Sequence, residues 1–418
     1  MNLTRTAILS LSILLAACSS DDDGGNMDMG PTGPSASLSS IDTSGGTDGI
    51  VALPMNVDAR ILAVFERYAE LTAPNGRRVH FLAQTGVSDE LIFRTRGIIR
   101  QHLFEVDGTT LGTDKSGVFN RMGLRGAVIA IISSPAAFSD VDPDVMAFQD
   151  FFGDTFDTVD ASQMVMEASA NYLLPSPAND PTIGQCAAIV LRQGLSTQVP
   201  SFQTALDAAT DNAVMNGLYT PPMSVPADRI DDEYLALAMD TYYGIWGHDP
   251  NSDGTAGAGS EYDFNLRTDM EASDAGMVAV IESFFSPTHR YPAFLDESFN
   301  GSFEMTFDGI LPYTHRSQYL ERAGVRGTST ARINGNELDN TFIGNDVGTV
   351  FEGKGGNDAI DSNDGPDELI LTGNFADYLI TNPEPTITRI EDTVMNRDGI
   401  DDLRGIVTVQ FADGPVNL

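Results

Sequence analysis

Cysteine is nearly absent from this 418-residue chain, which has only Cys18 and Cys186. Cys18 closes an N-terminal processing signal, so the mature chain has no intramolecular disulfide framework and is stapled by something other than sulfur. Basic residues are scarce too: 23 Lys and Arg stand against 60 Asp and Glu, for a formal net charge of −37 and a pI near 4.1. A field of that sign repels phosphate backbones and anionic headgroups. It excludes nucleic acid as a partner and leaves a membrane reachable only through a lipid anchor. The five histidines, His80, His102, His248, His289 and His315, form no HxH or HxxxH pair. GxSxG, a phosphate-cradling glycine loop and CxxC are missing as well, which removes the commonest catalytic signatures.

What the chain has in excess is carboxylate, and carboxylates attract hard divalent cations such as Ca²⁺, which take oxygen ligands. With 41% hydrophobic residues, its length suits two or three domains with real cores.

The first residues carry Arg5 and then an apolar run over 7–15, closed by Leu15-Ala16-Ala17-Cys18. Nine apolar residues are too few for a helix spanning about 30 Å of hydrocarbon. The segment 1–17 therefore reads as a signal peptide. Its ending resembles the bacterial lipobox, which implies lipidation of Cys18. Ser19 after the cysteine implies sorting to the outer membrane, and Ser20-Asp21-Asp22-Asp23 resembles the surface-export tags of some lipoproteins. Residues 18–50 are rich in Gly, Ser, Asp, Thr and Pro and are expected to form a lipidated flexible linker.

From Gly335 the chain repeats every nine residues, as GNELDNTFI, GNDVGTVFE, GKGGNDAID and SNDGPDELI. The eighth position is always apolar (Phe342, Phe351, Ile360, Leu369), and the sixth is Asn340, Thr349, Asp358 and Asp367. A turn rich in Gly, Asn and Asp followed by a very short strand makes one side of a parallel β-roll. Its single apolar residue enters the axis, and turn carbonyls and sixth-position carboxylates face cations between turns. The blocks resemble hemolysin-type (RTX) calcium-binding repeats of GGxGxDxUx form, best over 353–361 and next over 362–370. That resemblance implies one or two Ca²⁺ ions in repeats over 331–370, with ligands among Asn340, Gly344, Gly353, Gly355, Asp358, Asp364 and Asp367. Residues 371–418 resemble the β-rich cap that closes such repeats. Tyr378, Leu379, Ile390, Val407, Val409 and Phe411 fit half-buried strands there.

Between 51 and 330 the signals are mixed, with helices dominant. A helix is expected after Ser88 over 87–103, strands over 127–132 and 79–82, and helices over 183–193, 201–216 and 232–243, each stopped by glycine. A fourth helix is expected over 273–285. DELIFRTRGIIRQHL, AVIAII, SANYLLPSP, a helix ending LRQGL, VPSFQTALDAATDNAVMNGLY and DDEYLALAMDTYYG succeed one another in an order that resembles zinc metallopeptidases related to the catalytic domain of anthrax lethal factor. In that family the helix before the GL carries HExxH. Here those positions are Gly184, Gln185, Cys186, Ala187 and Ala188, and only Glu233 survives as a vestigial zinc position. One carboxylate cannot hold a catalytic zinc, which needs about three protein ligands. Cys186 shares a face with Ile183, Val190 and Leu191 and reads as a core residue. The stretch 248–254, HDPNSDG, reads as a surface loop with a faint likeness to the start of an EF-hand.

Together these readings give a multidomain protein: an α+β zincin-like domain without catalysis, then a calcium-stabilised parallel β-roll and an all-β cap. It is anchored by lipid on the bacterial outer membrane, with zinc not expected, and meets a protein or peptide partner at the cell surface. The competing expectations are an active zinc peptidase with unusual ligands and a calcium-dependent adhesin.

Overall fold

The computed structural model describes residues 33–173, 180–247, 261–308, 311 and 313–418. Cys18, the signal segment and 248–254 lie outside the described residues. The chain is a multidomain mixture of helices and sheets with a strand-rich C-terminal part. It divides into two compact units. The first takes the chain up to Ser162 together with Gly184–Leu237, and the second takes Gln163–Ile183 and most of the chain from Ala238 onward. The single domain expected over 51–330 is therefore split between them. No helix among the described residues is long and apolar enough to cross a membrane.

In the first unit, β1 (Val51–Ala52), β2 (Arg67–Thr72), β3 (Arg78–Ala83), β4 (Val128–Ile132) and β5 (Phe156–Asp160) form one sheet in chain order. The β1–β2 and β2–β3 pairs are antiparallel, and the pairs β3–β4 and β4–β5 are parallel. The unbroken apolar VIAII of β4 is buried along its whole length, as a strand covered on both faces requires. Tyr68, Leu82, Val128, Ala130 and Ile132 form a core with Phe65, Phe138, Phe148 and Phe156. Leu38 and Ile41 join the same core, so the linker expected over 18–50 is ordered at least from Pro34. Buried Leu38, Ile41 and Ile50 and the hydrogen bonds from Arg78 to the Ile41 carbonyl (2.8 Å) and from Arg96 to the Asp48 carbonyl (2.5 Å) hold that segment, although its composition is poor in apolar residues.

Helix Asp89–Leu103 starts where the Ser88 hydroxyl accepts the Leu91 N–H at 3.4 Å, and it buries Ile92, Ile98, Ile99 and Leu103. Helix Thr182–Val190 does not stop at Gly194. It continues as a π-helical stretch, Leu191–Leu195, and on to Gln198. Gly194 marks a close approach instead, because a Cβ there would stand 2.8 Å from the Val118 carbonyl oxygen. Helix Pro200–Asn216 does end at a glycine, Gly217, whose φ of 72° is left-handed. The helix expected over 273–285 is present as Ala275–Phe284, and a separate helix, Arg267–Ser273, precedes it across Asp274.

In the second unit, β6 (Ala293–Phe294), β7 (Ser302–Glu304), β8 (Arg322–Gly324), β9 (Arg332–Asn334), β10 (Thr341–Ile343), β11 (Val350–Glu352), β12 (Ala359–Asp361) and β13 (Glu368–Ile370) alternate between two sheets. Neighbours within a sheet are parallel, and among the repeats they lie 18 residues apart, as Thr341 opposite Ala359 and Val350 opposite Glu368. The seven strands β7 to β13 each turn the middle residue inward: Phe303, Ala323, Ile333, Phe342, Phe351, Ile360 and Leu369 are all buried. The rings of Phe342 and Phe351 stack at 5.6 Å between centroids and 15° between planes.

The strands begin at Ala293, well before the 331 expected, because the earlier turns vary in length and carry no fixed period. After the repeats come the antiparallel hairpin β14 (Tyr378–Glu384) and β15 (Ile387–Asp392), then β16 (Ile400–Arg404), β17 (Thr408–Phe411) and β18 (Gly414–Asn417). Ile390, Val409 and Phe411 are buried as expected, whereas Leu379 and Val407 are exposed.

Candidate metal centre

The sixth-position residues form columns, one on each side of the strand stack. The backbone N–H of Asn340 donates to Asp358 Oδ1 at 2.8 Å, and that of Thr349 donates to Asp367 Oδ1. A sixth-position side chain thus fastens itself to the turn 18 residues earlier. The second-position asparagines repeat another bond: Asn336 Nδ2 donates to the Leu320 carbonyl and Asn345 Nδ2 to the Ser329 carbonyl, both at 2.9 Å.

Asn340 satisfies itself as an amide, accepting from the Asn336 N–H and donating to Asn336 Oδ1, both at 3.0 Å. The two aspartates do not. Asp358 and Asp367 are buried, at 2% and 0% exposure, and Oδ2 of each is enclosed with no hydrogen-bond partner among the described residues. Burial pushes the Asp358 carboxyl up to about 7, against the Asn340 N–H that favours its charged form, and pushes Asp367 up to about 6. No ion pair forms on either among the described residues. A buried carboxylate left in that condition is costly unless a cation or a proton joins it.

Glycine makes room for these oxygens. A Cβ on Gly353 would overlap Asp358 Oδ2, and one on Gly344 would overlap Asp367 Oδ2. Gly355 lies against the Glu337 carboxylate in the same sense. Asp364 is different: it is exposed, with a φ of 71°, and is not drawn into the stack. The structure therefore gathers Asn340, Gly344, Gly353, Gly355, Asp358 and Asp367 along the turns and leaves Asp364 at the surface. One residue that sequence reasoning missed is Asp401, which is buried and whose Oδ1 accepts the Asp358 N–H at 3.1 Å. Its signal, the G-x-D-x-L spacing of Gly399 to Leu403, stands out of phase with the nine-residue blocks.

No three His, Cys, Asp or Glu side chains converge on a metal position among the described residues. A cation at the turns would need backbone and amide oxygens beside the carboxylates, a donor set that fits Ca²⁺ and not zinc.

The five positions aligned with HExxH are arranged otherwise. A Cβ on Gly184 would overlap the Ala236 carbonyl, so helices Thr182–Val190 and Ile230–Tyr242 meet backbone to backbone there. Cys186 is buried and outside any disulfide. Glu233 is half-buried, and desolvation raises its carboxyl despite Arg192 and Arg229 nearby. Its neighbour Asp232 is tied to Arg192 at 3.1 Å and to Arg229 at 2.6 Å, while Arg192 also holds Asp157 of β5 at 2.6 Å. That network pins the π-helical stretch to the sheet. Tyr219 stacks on Tyr234 at 4.8 Å, and its hydroxyl is held well above the usual range by burial and by Glu233 and Glu261.

No family model matches the chain, and no curated protein matches it.

Proposed function

We propose that this chain is a calcium-binding lipoprotein of the bacterial outer-membrane surface, tethered through Cys18. In this reading its C-terminal turns form an RTX-type parallel β-roll with an all-β cap, ordered by one or two Ca²⁺ ions. The zincin-like remainder serves binding or scaffolding of a surface protein or peptide, without catalysis. The observation that carries the calcium reading is the pair of buried carboxylates, Asp358 and Asp367, each with one enclosed and unpartnered oxygen. A hard cation that takes oxygen ligands satisfies both, and binding only the folded form adds to stability. The absence of catalysis is supported by Gly184, where the close approach to Ala236 excludes any side chain in the first HExxH position.

Elemental mass spectrometry of the full mature chain, dialysed against excess Ca²⁺ with trace Zn²⁺, tests both parts. One or two calcium and no zinc per chain is expected. Stoichiometric zinc refutes the non-catalytic reading, and no calcium refutes the other.

A further inference from the structure

Far from the strand stack, the first unit gathers a knot of tyrosines and acids from three stretches of chain: Tyr219, Glu233 with Tyr234, and Glu261 with Tyr262. Tyr219 forms an isolated antiparallel bridge with Tyr262, fixed by the Thr220 N–H donating to the Glu261 carbonyl at 2.7 Å. The Tyr219 ring stacks on Tyr234 with 17° between planes, and Tyr234 meets Tyr262 edge-on at 5.6 Å between centroids. All three rings are buried, so they make a rigid floor. Glu233 and Glu261 each precede one of these tyrosines in sequence, and both act on the third. Burial first, and then the charges of Glu233 and Glu261, raise the Tyr219 hydroxyl, and Glu233 adds to the effect of burial in raising Glu261.

Three oxygens at this place lack a partner. The Tyr219 hydroxyl is enclosed and makes no hydrogen bond among the described residues. Glu233 and Glu261 are half-buried, and neither side chain has an ion pair or a hydrogen bond among the described residues. The cations whose charge reaches Glu233 are committed elsewhere, Arg192 to Asp157 and Asp232, and Arg229 to Asp232. The remaining acid, Asp231, takes the Gln203 amide. An entering group reaches the hydroxyl by displacing two flexible glutamate side chains, and no ion pair holds them back.

The chemistry of these oxygens selects the group. A divalent metal suits them poorly, because burial keeps the Tyr219 hydroxyl protonated and no three His, Cys, Asp or Glu side chains converge among the described residues. A primary ammonium is a compact cation with three N–H donors, one for each oxygen, and its charge offsets the crowding of the two carboxylates. A guanidinium is a planar fork made for two parallel bonds to one carboxylate and matches three separate acceptors less well.

We propose that Glu233, Glu261 and the Tyr219 hydroxyl form a receptor for a primary ammonium group, a lysine side chain or an amino terminus, presented by the partner protein or peptide. This rests on the binding role proposed for this part of the chain and gives Glu233 a ligand other than zinc.

The test is an NMR titration of the full mature chain carrying isotopically labelled tyrosine rings, with the Tyr219 signal assigned by its loss in Tyr219→Phe. Butylammonium, added at physiological ionic strength to screen the general acidic field, should shift that signal saturably, and butanol should not. Glu233→Gln and Glu261→Gln should each weaken binding by about tenfold or more, since each removes one charge from the pair. Retention of the dispersed Tyr219 signal shows that these variants are folded. Nα-acetyl-lysine amide and alanine amide separate the two sources: tighter binding of the first assigns a lysine side chain, and of the second an amino terminus. A Tyr219 signal unmoved by butylammonium, or moved equally in both glutamine variants, overturns the proposal, as does tighter binding of butylguanidinium. With a zinc-free chain such a failure falls on this inference alone. Zinc bound to the wild type and lost in Glu233→Gln overturns the binding role as well.

Discussion

Raising the pH of the calcium-free protein from 5 to 8 should loosen the C-terminal strand stack. Asp358 keeps its proton in the folded stack up to about 7, because burial disfavours its charged form. In the unfolded chain it loses that proton near 3.8, the ordinary value. Between those limits the unfolded state carries fewer protons than the folded one, so stability falls as pH rises. At about 1.4 kcal/mol per pH unit, and two such units between pH 5 and 7, Asp358 alone removes roughly 3 kcal/mol from the metal-free stack. Asp367, raised to about 6, and Asp401, raised by burial and then by Asp358, act in the same direction. The measurement is amide hydrogen exchange over Thr341–Ile343 and Ala359–Asp361 in EDTA, corrected for intrinsic rates. Roughly 3 kcal/mol corresponds to about a hundredfold loss of protection. Local readout matters, because His80 in the other unit responds with the opposite sign: burial lowers it to about 3, and its contribution is lost as pH falls below 6.5. Excess calcium should reverse the trend in the stack, since the cation needs the carboxylates charged. Equal or greater protection at pH 8 without metal would refute the reasoning.

Packing sets two further outcomes. Phe342→Ala removes a fully buried ring stacked on Phe351 and should cost about 3–5 kcal/mol, read as a lower denaturant midpoint of the second unit in the presence of calcium. Gly184→Ala forces a methyl group into the Ala236 backbone and should cost about 1–3 kcal/mol in the first unit, with Gly184→His failing to restore zinc binding in a dialysis assay.

Much of the stack was legible because its physics is local. A turn of Gly, Asn and Asp and one inward apolar residue recur every nine positions, and Phe342, Phe351, Ile360 and Leu369 occupy the axis accordingly. Where turns change length, that regularity disappears from the sequence while the pairing persists, which concealed β6 to β8 upstream and the turn at 396–404 downstream. Elsewhere tertiary contacts overrode local signals. Gly194 reads as a helix stop but serves a close approach to Val118, and Leu38 and Ile41 look isolated until the sheet of the first unit supplies their partners. The proximity of Asp401 to Asp358 depends on where the hairpin folds, and no spacing rule contains it.

The columns of sixth-position residues also impose a direction. Asn340 and Thr349 are uncharged, while the residues that come later in the chain, Asp358, Asp367 and Asp401, are buried acids. Turns of this kind interact chiefly with their neighbours, as in a one-dimensional array. On the proposed calcium reading, the early turns are expected to form a standing template without an ion, and the late ones a latch that closes on it. If the proposed calcium reading holds, depleting the cation should fray the stack at these late turns first, and restoring it should close them again.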